Sequence, residues 1–461
     1  MQAEEALPVL RVSFPAKKLN YDEYLQGEMR LEMPNGSVTE LPAQMKTRGA
    51  TAKAYTMKPS FNIKLKDAEG NEIDSTLLDL RQTSSYILDA MAIDRICMRN
   101  RVAFDIWNAF SPLPYETDFD DRNGTIGKFV EVYMNDEYKG IYCMSDKINR
   151  KLLDLKKPQV ADDGTVTVRG VLYKNGTSEI GKQEVVDFYN DSTVYVARYH
   201  DAWELKEPDD YPGYAAWAPL IAFYDNRSSY SYISEHFLIE NIVDYTLFIM
   251  TLSIGDNWGN KNKYYSIQNC TKSGTKGKFI VTPWDLDTSL GGTYNGGYYG
   301  GTYSDWKPSD ISKSASAPFS TCLGQAEVKA MLKARWIETR RGVFAVDSVA
   351  QRLYDYRDLF LRTGAWERQT THWNAQSSKP CYVQDLAEEI DLIVEWYRNR
   401  HQQLDEYFNL TEEEMALDAI EADRRTDART FNLMGQPVAP AHRTPGTLYI
   451  QGGRKVVYNG Y

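Results

Sequence analysis

The sequence predicts an α+β protein that ends in a small all-β module. Residues 9–66 contain segments in which apolar and polar side chains alternate, the pattern of half-buried strands. Residues 324–363 and 383–408 repeat apolar side chains every three or four positions, which predicts helices. After a highly charged segment at 410–428, residues 429–461 alternate again, which favours a separate module of about three strands.

The first part of the chain is predicted to be strands with one helix. Short alternating segments lie at 9–14, 28–32 and 61–66. A hairpin is predicted over 129–144, because two apolar segments flank the turn-forming pair Asn135 and Asp136. A helix is predicted over 84–110, where apolar side chains recur at spacings near three and four.

The second part of the chain is predicted to be mainly helical. Residues 235–253 are mostly apolar, but Glu240, Asn241 and Asp244 interrupt them, which predicts a buried helix and not a membrane span. Short strands are predicted at 262–268 and 278–282, and a Gly/Tyr-rich loop at 291–306. The pattern assigns no order to residues 155–230.

Composition narrows the class of protein. The 461 residues are 42% hydrophobic and 25% charged, as in soluble globular proteins, and this length favours about three domains or lobes. Lys and Arg number 53 against 64 Asp and Glu, so the net charge is -11. This balance argues against nucleic acid as a partner, because phosphate neutralisation needs clustered cations. A single phosphate ligand is compatible with it, held by a local basic pocket or through a metal.

Cysteine and histidine content excludes two further classes. The five Cys contain no C-x-x-C pair, which argues against a disulfide framework and a structural zinc site. Cys97 and Cys143 lie in apolar segments and are predicted to be small buried hydrophobes. No two of the five His have metal-ligand spacing, so a zinc hydrolase is not expected.

Acidic and amide side chains follow two predicted elements in the middle of the chain. Asp256 lies in a polar Gly-Asp-Asn-Trp-Gly-Asn loop after the buried helix, and Asp285 and Asp287 end an apolar strand. Loops positioned by rigid elements are common sites of function. Two carboxylates with an amide are hard oxygen ligands that suit Mg²⁺ beside substrate phosphates. The alternative is structural: these three acids merely cap turns and loops.

A second polar group lies near the N-terminal end. Residues 46–51 read Lys-Thr-Arg-Gly-Ala-Thr, and a Gly turn beside Arg48 and Thr51 can present backbone N–H groups to phosphate. Lys58 or Lys64 on the next strand can reach the same phosphates. Together with the acids, this group reproduces the logic of phosphoryl transfer. An ordinary hairpin with surface lysines is the alternative, and the protein-kinase signatures are absent.

The sequence resembles the spore-coat-protein-H-like (CotH) family of atypical kinases from about residue 9 to 409. Five segments in order carry the resemblance: Lys-Thr-Arg-Gly-Ala-Thr with Lys-Pro-Ser-Phe-Asn-Ile-Lys-Leu; Asp-Arg-Ile-Cys-Met-Arg-Asn (94–100); Val-Glu-Val-Tyr-Met-Asn-Asp-Glu-Tyr-Lys-Gly-Ile-Tyr (130–142); Gly-Asp-Asn-Trp-Gly-Asn-Lys-Asn-Lys-Tyr-Tyr; and Pro-Trp-Asp-Leu-Asp. The resemblance implies a two-lobed protein-kinase-like fold, with lobes at about 1–150 and 151–409.

The resemblance also implies roles for single residues. Asp256 is the base or hydroxyl-orienting residue. The implied metal ligands are Asn262, with Asn260 as the alternative, and Asp285 assisted by Asp287. The implied nucleotide contacts are Lys64, with Lys58 as the alternative, then Arg48 and Thr51 in the phosphate loop, and Asp146 beside the nucleotide. Arg99 and Asn100 match a helix motif with a supporting role.

This sequence departs from the family pattern at two positions. Ala50 stands in the phosphate loop where the family commonly has Asn, so it offers no side-chain amide there. Lys263 replaces a usual aromatic residue or Asn. Both changes leave the acids and the lysines in place, so an active enzyme is still expected.

Residues 429–461 resemble the C-terminal sorting domains of proteins that Bacteroidetes export through the type IX system. The matching residues read Phe-Asn-Leu-Met-Gly-Gln-Pro-Val and Gly-Thr-Leu-Tyr-Ile-Gln-Gly-Gly-Arg-Lys-Val-Val. The resemblance implies an extracellular or cell-surface protein whose signal peptide has been removed. A small β appendage without a sorting role is the alternative.

The expected function is therefore that of an extracytoplasmic kinase. It transfers the γ-phosphoryl group of ATP to a hydroxyl of a protein Ser or Thr, with Mg²⁺ or Mn²⁺, and is expected to be a monomer. A non-catalytic surface binding or scaffold protein on a kinase-like fold is the first alternative. A glycosidase, prompted by the aromatic content and the acids, is the second.

Overall fold

The computed structural model describes most of the chain, and the statements below refer to those residues. They are 6–15, 23–49, 58–115, 117, 120–175, 203–209, 214–259, 261–268, 277–293, 306–375 and 382–415, together with strands at 430–431, 448–451 and 454–457.

The first seven strands close into a barrel in the order β1-β2-β3-β4-β5-β7-β6. Neighbouring strands are antiparallel except β1 and β6, whose parallel pairing closes the barrel. The strands are β1 (Val9–Ser13), β2 (Leu25–Glu32), β3 (Val38–Arg48), β4 (Ser60–Leu65), β5 (Ser85–Asp89), β6 (Gly127–Met134) and β7 (Glu137–Asp146). The three strands predicted from alternation are thus confirmed.

Alternation along the strands fills the barrel and leaves a polar outer face. Met45 on β3 pairs with Ile63 on β4, and both are buried in the barrel core. The side chains of Arg48 and Lys64 on the same two strands are half-buried on the opposite face. A strand with period two sends alternate side chains to opposite faces, so the cations of this region point away from the barrel core.

The predicted hairpin and its turn are confirmed. Asn135 and Asp136 connect β6 to β7 with backbone φ angles of 48° and 66°. Two residues in the left-handed region are what a two-residue turn of the type I′ class requires, and Asn and Asp tolerate that region best after Gly.

The helix predicted over 84–110 is wrong in its first half. Residues Ser85–Asp89 form β5, and helix α1 begins only at Arg99 and ends at Phe110. A short apolar segment such as Tyr86 to Leu88 has no periodicity that separates a strand from a buried helix. Pairing with β4 on one side and β7 on the other decides the outcome here.

A second sheet follows the barrel, in the order β11-β10-β12-β13 with antiparallel neighbours. A separate two-stranded sheet, β8 with β9, precedes it in the chain. The strands are β8 (Gln159–Val160), β9 (Val166–Thr167), β10 (Gly170–Asn175), β11 (Trp203–Glu207), β12 (Lys263–Gln268) and β13 (Phe279–Pro283). The predicted strands near 262–268 and 278–282 are confirmed.

Nine described helices follow α1. They are α2 (Tyr214–Asn226), α3 (Tyr230–His236), α4 (Ile239–Leu252), α5 (Pro308–Ser314), α6 (Phe319–Leu323), α7 (Ala326–Thr339), α8 (Val346–Arg362), α9 (Ala365–Asn374) and α10 (Leu386–Tyr407). Residues 241–252 of α4 are all buried, as the sequence predicts. Of the described helices, none combines the length and the apolar character needed to cross a membrane.

The mixture of strands and helices confirms the α+β class. Three strands, β14 (Thr430–Phe431), β15 (Leu448–Gln451) and β16 (Arg454–Val457), form a small antiparallel sheet where the all-β module is predicted. Cys97 and Cys143 are buried free thiols. Most of the predicted Gly/Tyr-rich loop at 291–306 and of the charged linker at 410–428 lies outside the described residues.

Candidate functional site

The loop that carries Asp256 is held against the end of β13 by a buried amide. Asn257 is fully buried, and its Nδ2 donates to the backbone oxygens of Trp284 at 2.8 Å and Asn262 at 3.1 Å. The backbone N–H of Trp284 donates in turn to the oxygen of Asn262 at 3.0 Å. These bonds bring the loop after α4 next to Asp285.

Three residues of this region have a backbone that side chains rarely adopt. Ser253 ends α4 with φ 52°, Asn262 has φ 57° and Asp285 has φ 59°. Non-glycine residues in the left-handed region cost free energy and concentrate at functional sites. The loop and the strand end are therefore held in shape by their surroundings.

Asp285 and Asp287 lie in a cleft where negative charge is poorly tolerated. Asp285 is exposed to solvent, but protein atoms surround it on most sides. Such surroundings are typical of a side chain on the wall of a cleft. Burial raises its pKa and so do Asp89 and Asp256, while Arg48 and Lys174 oppose the shift. Burial, and then Asp285, Asp89 and Asp256, raise the pKa of Asp287 well above its usual range.

Asp89 and Asn100 connect the barrel to these acids. The Nδ2 of Asn100 on α1 donates to Asp89 Oδ2 at 2.9 Å, and the backbone N–H of Leu286 donates to Asn100 Oδ1 at 3.1 Å. Because Leu286 separates Asp285 from Asp287, Asn100 holds the segment that carries both acids. The resemblance implied a supporting role for Asn100, and this contact is a physical basis for that role.

Arg99, the neighbour of Asn100, ties the same region to the start of α1. Its Nη1 donates to Asp94 Oδ1 at 2.6 Å, and both side chains are almost fully buried. Asp94 also accepts from the backbone N–H groups of Met98 and Arg99 at 2.8 Å each, which satisfies donors at the helix start. Arg99 Nε donates to the oxygen of Leu290 at 3.5 Å, so one ion pair braces both α1 and the acidic loop.

Trp284 gathers two cations beside Asp285. The guanidinium carbon of Arg48 lies 5.0 Å from the centre of the Trp284 ring, and Lys174 Nζ lies 5.9 Å from it. Arg48 comes from the barrel and Lys174 from the second sheet. The end of β13 is therefore where the two sheets, the acids and the cations meet.

The two lysines predicted as alternatives have different surroundings. Lys64 is half-buried on the polar outer face, with its Nζ 4.8 Å from the centre of the Tyr24 ring. Lys58 is fully buried; its Nζ donates to the oxygen of Ile141 at 2.6 Å and lies 4.6 Å from the Tyr142 ring centre. This burial favours Lys64 as the lysine that reaches a ligand.

Asp146 is buried and bonded to other residues of the protein. Asp146 is 2% exposed, its Oδ2 accepts from Arg81 Nη1 at 2.6 Å, and its Oδ1 accepts from the backbone N–H of Ile126 at 2.9 Å. Asp146 and Arg81 line a small cavity with Lys147. A direct contact between Asp146 and a nucleotide would therefore compete with this ion pair. Thr51 and Asn260 lie outside the described residues.

Asp256 makes an ion pair with its own loop. Lys261 Nζ lies 2.6 Å from Asp256 Oδ1, and both side chains are about one-third exposed, 34% and 28%. Lys263, the departure from the family pattern, is buried; its Nζ donates to the oxygen of Lys261 at 2.8 Å and to the oxygen of Gly259. Lys263 therefore stabilises the loop of Asp256 through these two backbone oxygens.

Two tryptophans flank the Asp256 loop. The ring centres of Trp258 and Trp306 lie 4.8 Å apart at 81°, and Trp306 is 44% exposed. Arg400 on α10 fixes this edge by donating to the oxygens of Trp306 and Met250. An aromatic pair, of which Trp306 is exposed and Trp258 half-buried, thus lies beside the acid to which the resemblance assigns proton abstraction.

The donor chemistry around Asp285 fits a divalent metal that is also bound by a ligand. In the part of the chain that the structure describes, no three His, Cys, Asp or Glu side chains are grouped as ligands of one ion. Two carboxylates with phosphate oxygens and water are nevertheless the usual Mg²⁺ environment. Burial first, and then the neighbouring acids, raise the pKa values of Asp285 and Asp287, and a bound cation would favour the charged form of both carboxylates.

Several residues of this region escape sequence reasoning. Asp89 lies in the segment predicted to be helical, and Lys174 lies in the part of the chain to which no order was assigned. The short segment Val-Leu-Tyr, rich in β-formers and followed by polar residues, is a signal of a buried strand that precedes Lys174. Only the family motif singles out Asn100, because its partner Leu286 is distant in sequence and no local periodicity links the two.

Comparison with known proteins gives one family. The family model described as CotH kinase protein matches residues 45–404, which is well over half of the chain. A comparison with curated proteins found no match. The matched residues include the loop of Asp256, the Asp285–Asp287 segment, Lys64 and Arg48.

Proposed function

Because the chain belongs to the CotH kinase protein family, we propose that it is an atypical kinase that transfers the γ-phosphoryl group of ATP to a hydroxyl of a protein Ser or Thr. One observation carries the proposal: three acids and two cations converge at the end of β13. The acids are Asp256, Asp285 and Asp287, and the cations are Arg48 and Lys174. A phosphoryl donor with its metal needs both kinds of charge in one cleft.

We propose a two-lobed kinase-like arrangement for this cleft. The seven-stranded barrel is the N-terminal lobe, and the second sheet with α2–α10 is the C-terminal lobe. Trp284 supports this division, because its ring contacts Arg48 from the barrel and Lys174 from the second sheet. In this arrangement the phosphates lie between the outer face of β3 and β4 and the loop that follows β13.

Asp285 and Asp287 would hold Mg²⁺ or Mn²⁺, with Asn262 beside them. The metal, when bound, neutralises charge on the phosphates. A backbone hydrogen bond supports this assignment of Asn262. Its oxygen accepts from the N–H of Trp284 at 3.0 Å, and Trp284 directly precedes Asp285, so Asn262 is held close to that acid. Arg48 and Lys64 bind the phosphate oxygens as cations, and Thr51 belongs to the same phosphate loop.

Asp256 orients the acceptor and receives its proton. The acceptor oxygen forms a bond to the γ-phosphorus while the bond from that phosphorus to the bridging oxygen of ADP breaks. The hydroxyl proton passes to the Asp256 carboxylate, which lies at the mouth of the cleft. For this the acceptor displaces Lys261 from Asp256, an exchange that partial exposure of both side chains permits.

A non-catalytic binding protein is the second candidate. The Lys261–Asp256 ion pair favours it, since this pair occupies the carboxylate that catalysis needs. A thermal-unfolding titration with ATP and Mg²⁺, followed by an assay of radiolabelled transfer, separates the two. Stabilisation without transfer to any protein acceptor or to the chain itself favours the binding protein.

The decisive experiment compares two charge-neutral variants with the wild type. Asp256→Asn and Asp285→Asn preserve side-chain shape, so thermal unfolding is expected to show an intact fold. Transfer of radiolabelled phosphate with Mg²⁺ or Mn²⁺ is expected to fall by at least about 100-fold in each. Asp163→Asn, an exposed carboxylate in the turn between β8 and β9, is the charge-matched control. Undiminished transfer in both site variants contradicts the assignment.

We propose that this kinase acts outside the cytoplasm and that residues 429–461 direct its export by the type IX system. The three-stranded sheet β14-β15-β16 supports a compact terminal module in this part of the chain. Deletion of 429–461 is expected to abolish surface exposure in a type IX host, as measured by accessibility to an antibody on intact cells. Unchanged exposure contradicts a sorting role.

A further inference from the structure

Lys263 is a buried lysine whose amine contacts the loop that carries Asp256. It is the first residue of β12 and is 1% exposed. Its Nζ donates to the backbone oxygen of Lys261 at 2.8 Å and to that of Gly259. Both oxygens belong to the segment that connects Asp256 to β12, so one amine holds the backbone of this loop at two points.

Two buried aromatic rings also lie close to this amine. Lys263 Nζ is 5.8 Å from the centre of the Tyr245 ring and 5.7 Å from the centre of the Phe319 ring. The two rings are stacked, with their centres 4.9 Å apart. A cation within about 6 Å of a ring centre is attracted to the negative face of the ring. The rings therefore stabilise the ammonium at the place where it meets the loop.

Other buried side chains hold the same loop. The hydroxyl of Tyr245 donates to the oxygen of Asn257 at 3.0 Å, and Asn257 Nδ2 donates to the oxygen of Asn262 at 3.1 Å. Together with the bonds from the amine, four carbonyls of the loop accept from buried side chains. The side chains of Asp256 and Lys261, in contrast, are partly exposed. The loop is thus fixed on its inner side and presents its charged side chains to solvent.

A buried ammonium is a costly way to fill position 263. Taking a charge out of water costs free energy that an apolar side chain of similar length does not incur. Such a side chain could pack against Tyr245 and Phe319, but it would take a donor away from the oxygens of Gly259 and Lys261. The contacts of the amine therefore favour a role in the shape of the loop over a role in packing.

We propose that Lys263 is a positioning residue for phosphate transfer, whose ammonium fixes the loop in the shape in which Asp256 meets the acceptor hydroxyl. The inference deepens the proposed function and rests on it for the role of Asp256. Lys263 acts through the backbone of Gly259 and Lys261 and not on the reacting atoms. Its loss therefore slows transfer, while the contacts assigned to ATP at Arg48 remain.

The first test is the transfer kinetics of Lys263→Met, which keeps the length of the side chain and removes its charge and donors. The kcat is expected to fall about 10- to 100-fold, as displacement of a catalytic group by about 1 Å does, whereas KM for ATP is expected to change less than about twofold. Lys263→Gln keeps an N–H donor and is expected to lie between this variant and the wild type. Thermal unfolding checks that each variant is folded.

The matched control is a lysine that also bonds a backbone oxygen but does so elsewhere. Lys278 Nζ donates to the oxygen of Ser234 on α3 at 3.1 Å. Lys278→Met is expected to keep the wild-type kcat and KM. Undiminished kcat in Lys263→Met, or an equal fall in Lys263→Met and Lys278→Met, overturns the positioning role.

A double variant separates positioning from a general weakening of the enzyme. If Lys263 acts through Asp256, adding Lys263→Met to Asp256→Asn lowers transfer by less than about twofold beyond Asp256→Asn alone, because the loop no longer presents a carboxylate. A double variant whose loss is the product of the two single losses contradicts action through Asp256.

Hydrogen exchange tests the fixed loop without any phosphate transfer. The backbone N–H of Asn257 donates to the oxygen of Ile254 at 3.2 Å, and that of Trp284 donates to Asn262 at 3.0 Å. Both amides are expected to exchange faster in Lys263→Met than in the wild type or in Lys278→Met. Faster exchange in a protein that transfers no phosphate supports the fixed loop while the proposed function fails. Unchanged exchange overturns the anchoring by Lys263, even in an active kinase.

Discussion

The charges around α1 are buried and those around the end of β13 are partly exposed, and the two groups are arranged in opposite ways. Asp94 and Arg99 neutralise each other, and the remaining oxygen of Asp94 accepts backbone N–H groups. Asp285 and Asp287 lie next to other acids, and no described cation pairs with either at ion-pair distance. Charges that are satisfied within the chain serve the fold, whereas charges that repel one another are arranged for something that binds.

Breaking the satisfied pair is the strongest test of this contrast. Asp94→Ala leaves Arg99 charged and buried, so the free energy of unfolding is expected to fall by about 3–5 kcal/mol. Denaturant unfolding measures it. Asp287→Asn is the matched comparison and is expected to raise stability by about 0.5–2 kcal/mol, because it removes a carboxylate from a repulsive cluster. Equal destabilisation by the two variants contradicts the contrast.

Lys58 tests whether a buried cation near the cleft affects stability and not ligand binding. Burial lowers the pKa of Lys58 to about 8 from 10.5. Between these two pH values the unfolded chain keeps the proton that the folded protein has released, so rising pH stabilises the wild type. The stability advantage of Lys58→Met over the wild type is therefore expected to shrink by roughly 2–4 kcal/mol from pH 8 to 10.5.

Unfolding curves of both proteins across that pH window measure this shrinkage, and the variant corrects for all other titrating groups. A constant difference between the two proteins contradicts a charged, buried Lys58. ATP affinity is expected to be unchanged in Lys58→Met and lower in Lys64→Met, which distinguishes the two predicted phosphate lysines.

Asn100 lies between the two arrangements, since it bonds to Asp89 on one side and to Leu286 on the other. Asn100→Ala is expected to weaken Mn²⁺ binding in the presence of ATP by about 10- to 100-fold, as loss of a residue that orients metal ligands does. Asn108→Ala, which removes an amide further along α1, is the control. Similar Mn²⁺ affinity in the two variants contradicts a positioning role for Asn100.

An exposed ion pair gives the smallest expected effect. Arg398 and Glu395 on α10 lie 3.3 Å apart with side chains 57% and 63% exposed. Arg398→Ala is expected to change the free energy of unfolding by no more than about 0.5 kcal/mol, because solvent and salt screen the pair. If Arg398→Ala lowered the free energy of unfolding as much as Asp94→Ala does, burial would not explain why the Asp94–Arg99 pair contributes more than an exposed pair.

Local pattern was enough to predict much of the fold and to single out the acids that the structure brings together. The hairpin follows from Asn135 and Asp136, whose side chains tolerate a left-handed turn. Asp256 and Asp285 are identifiable because polar residues directly follow apolar elements. The strand Ser85–Asp89 was not identifiable, since only its neighbours β4 and β7 distinguish it from a helix.

Burial and long-range contact decide what local pattern leaves open. Lys58 and Lys64 are equivalent in sequence, yet one enters the interior and the other lies on the polar outer face. Asp146 has the chemistry of a ligand contact, but Arg81 engages it within the protein. Arg48 and Lys174 converge on Trp284 only because the barrel and the second sheet meet, which no periodicity encodes.

The position of Trp284 has an optical consequence. Its indole ring lies between a cation from the barrel and a cation from the second sheet, directly before Asp285. Indole emission responds to nearby charge, so any ligand that draws Arg48 or Lys174 away from the ring alters its colour and intensity. The fluorescence of Trp284 can thus report on changes in the distance between the barrel and the second sheet without an attached dye.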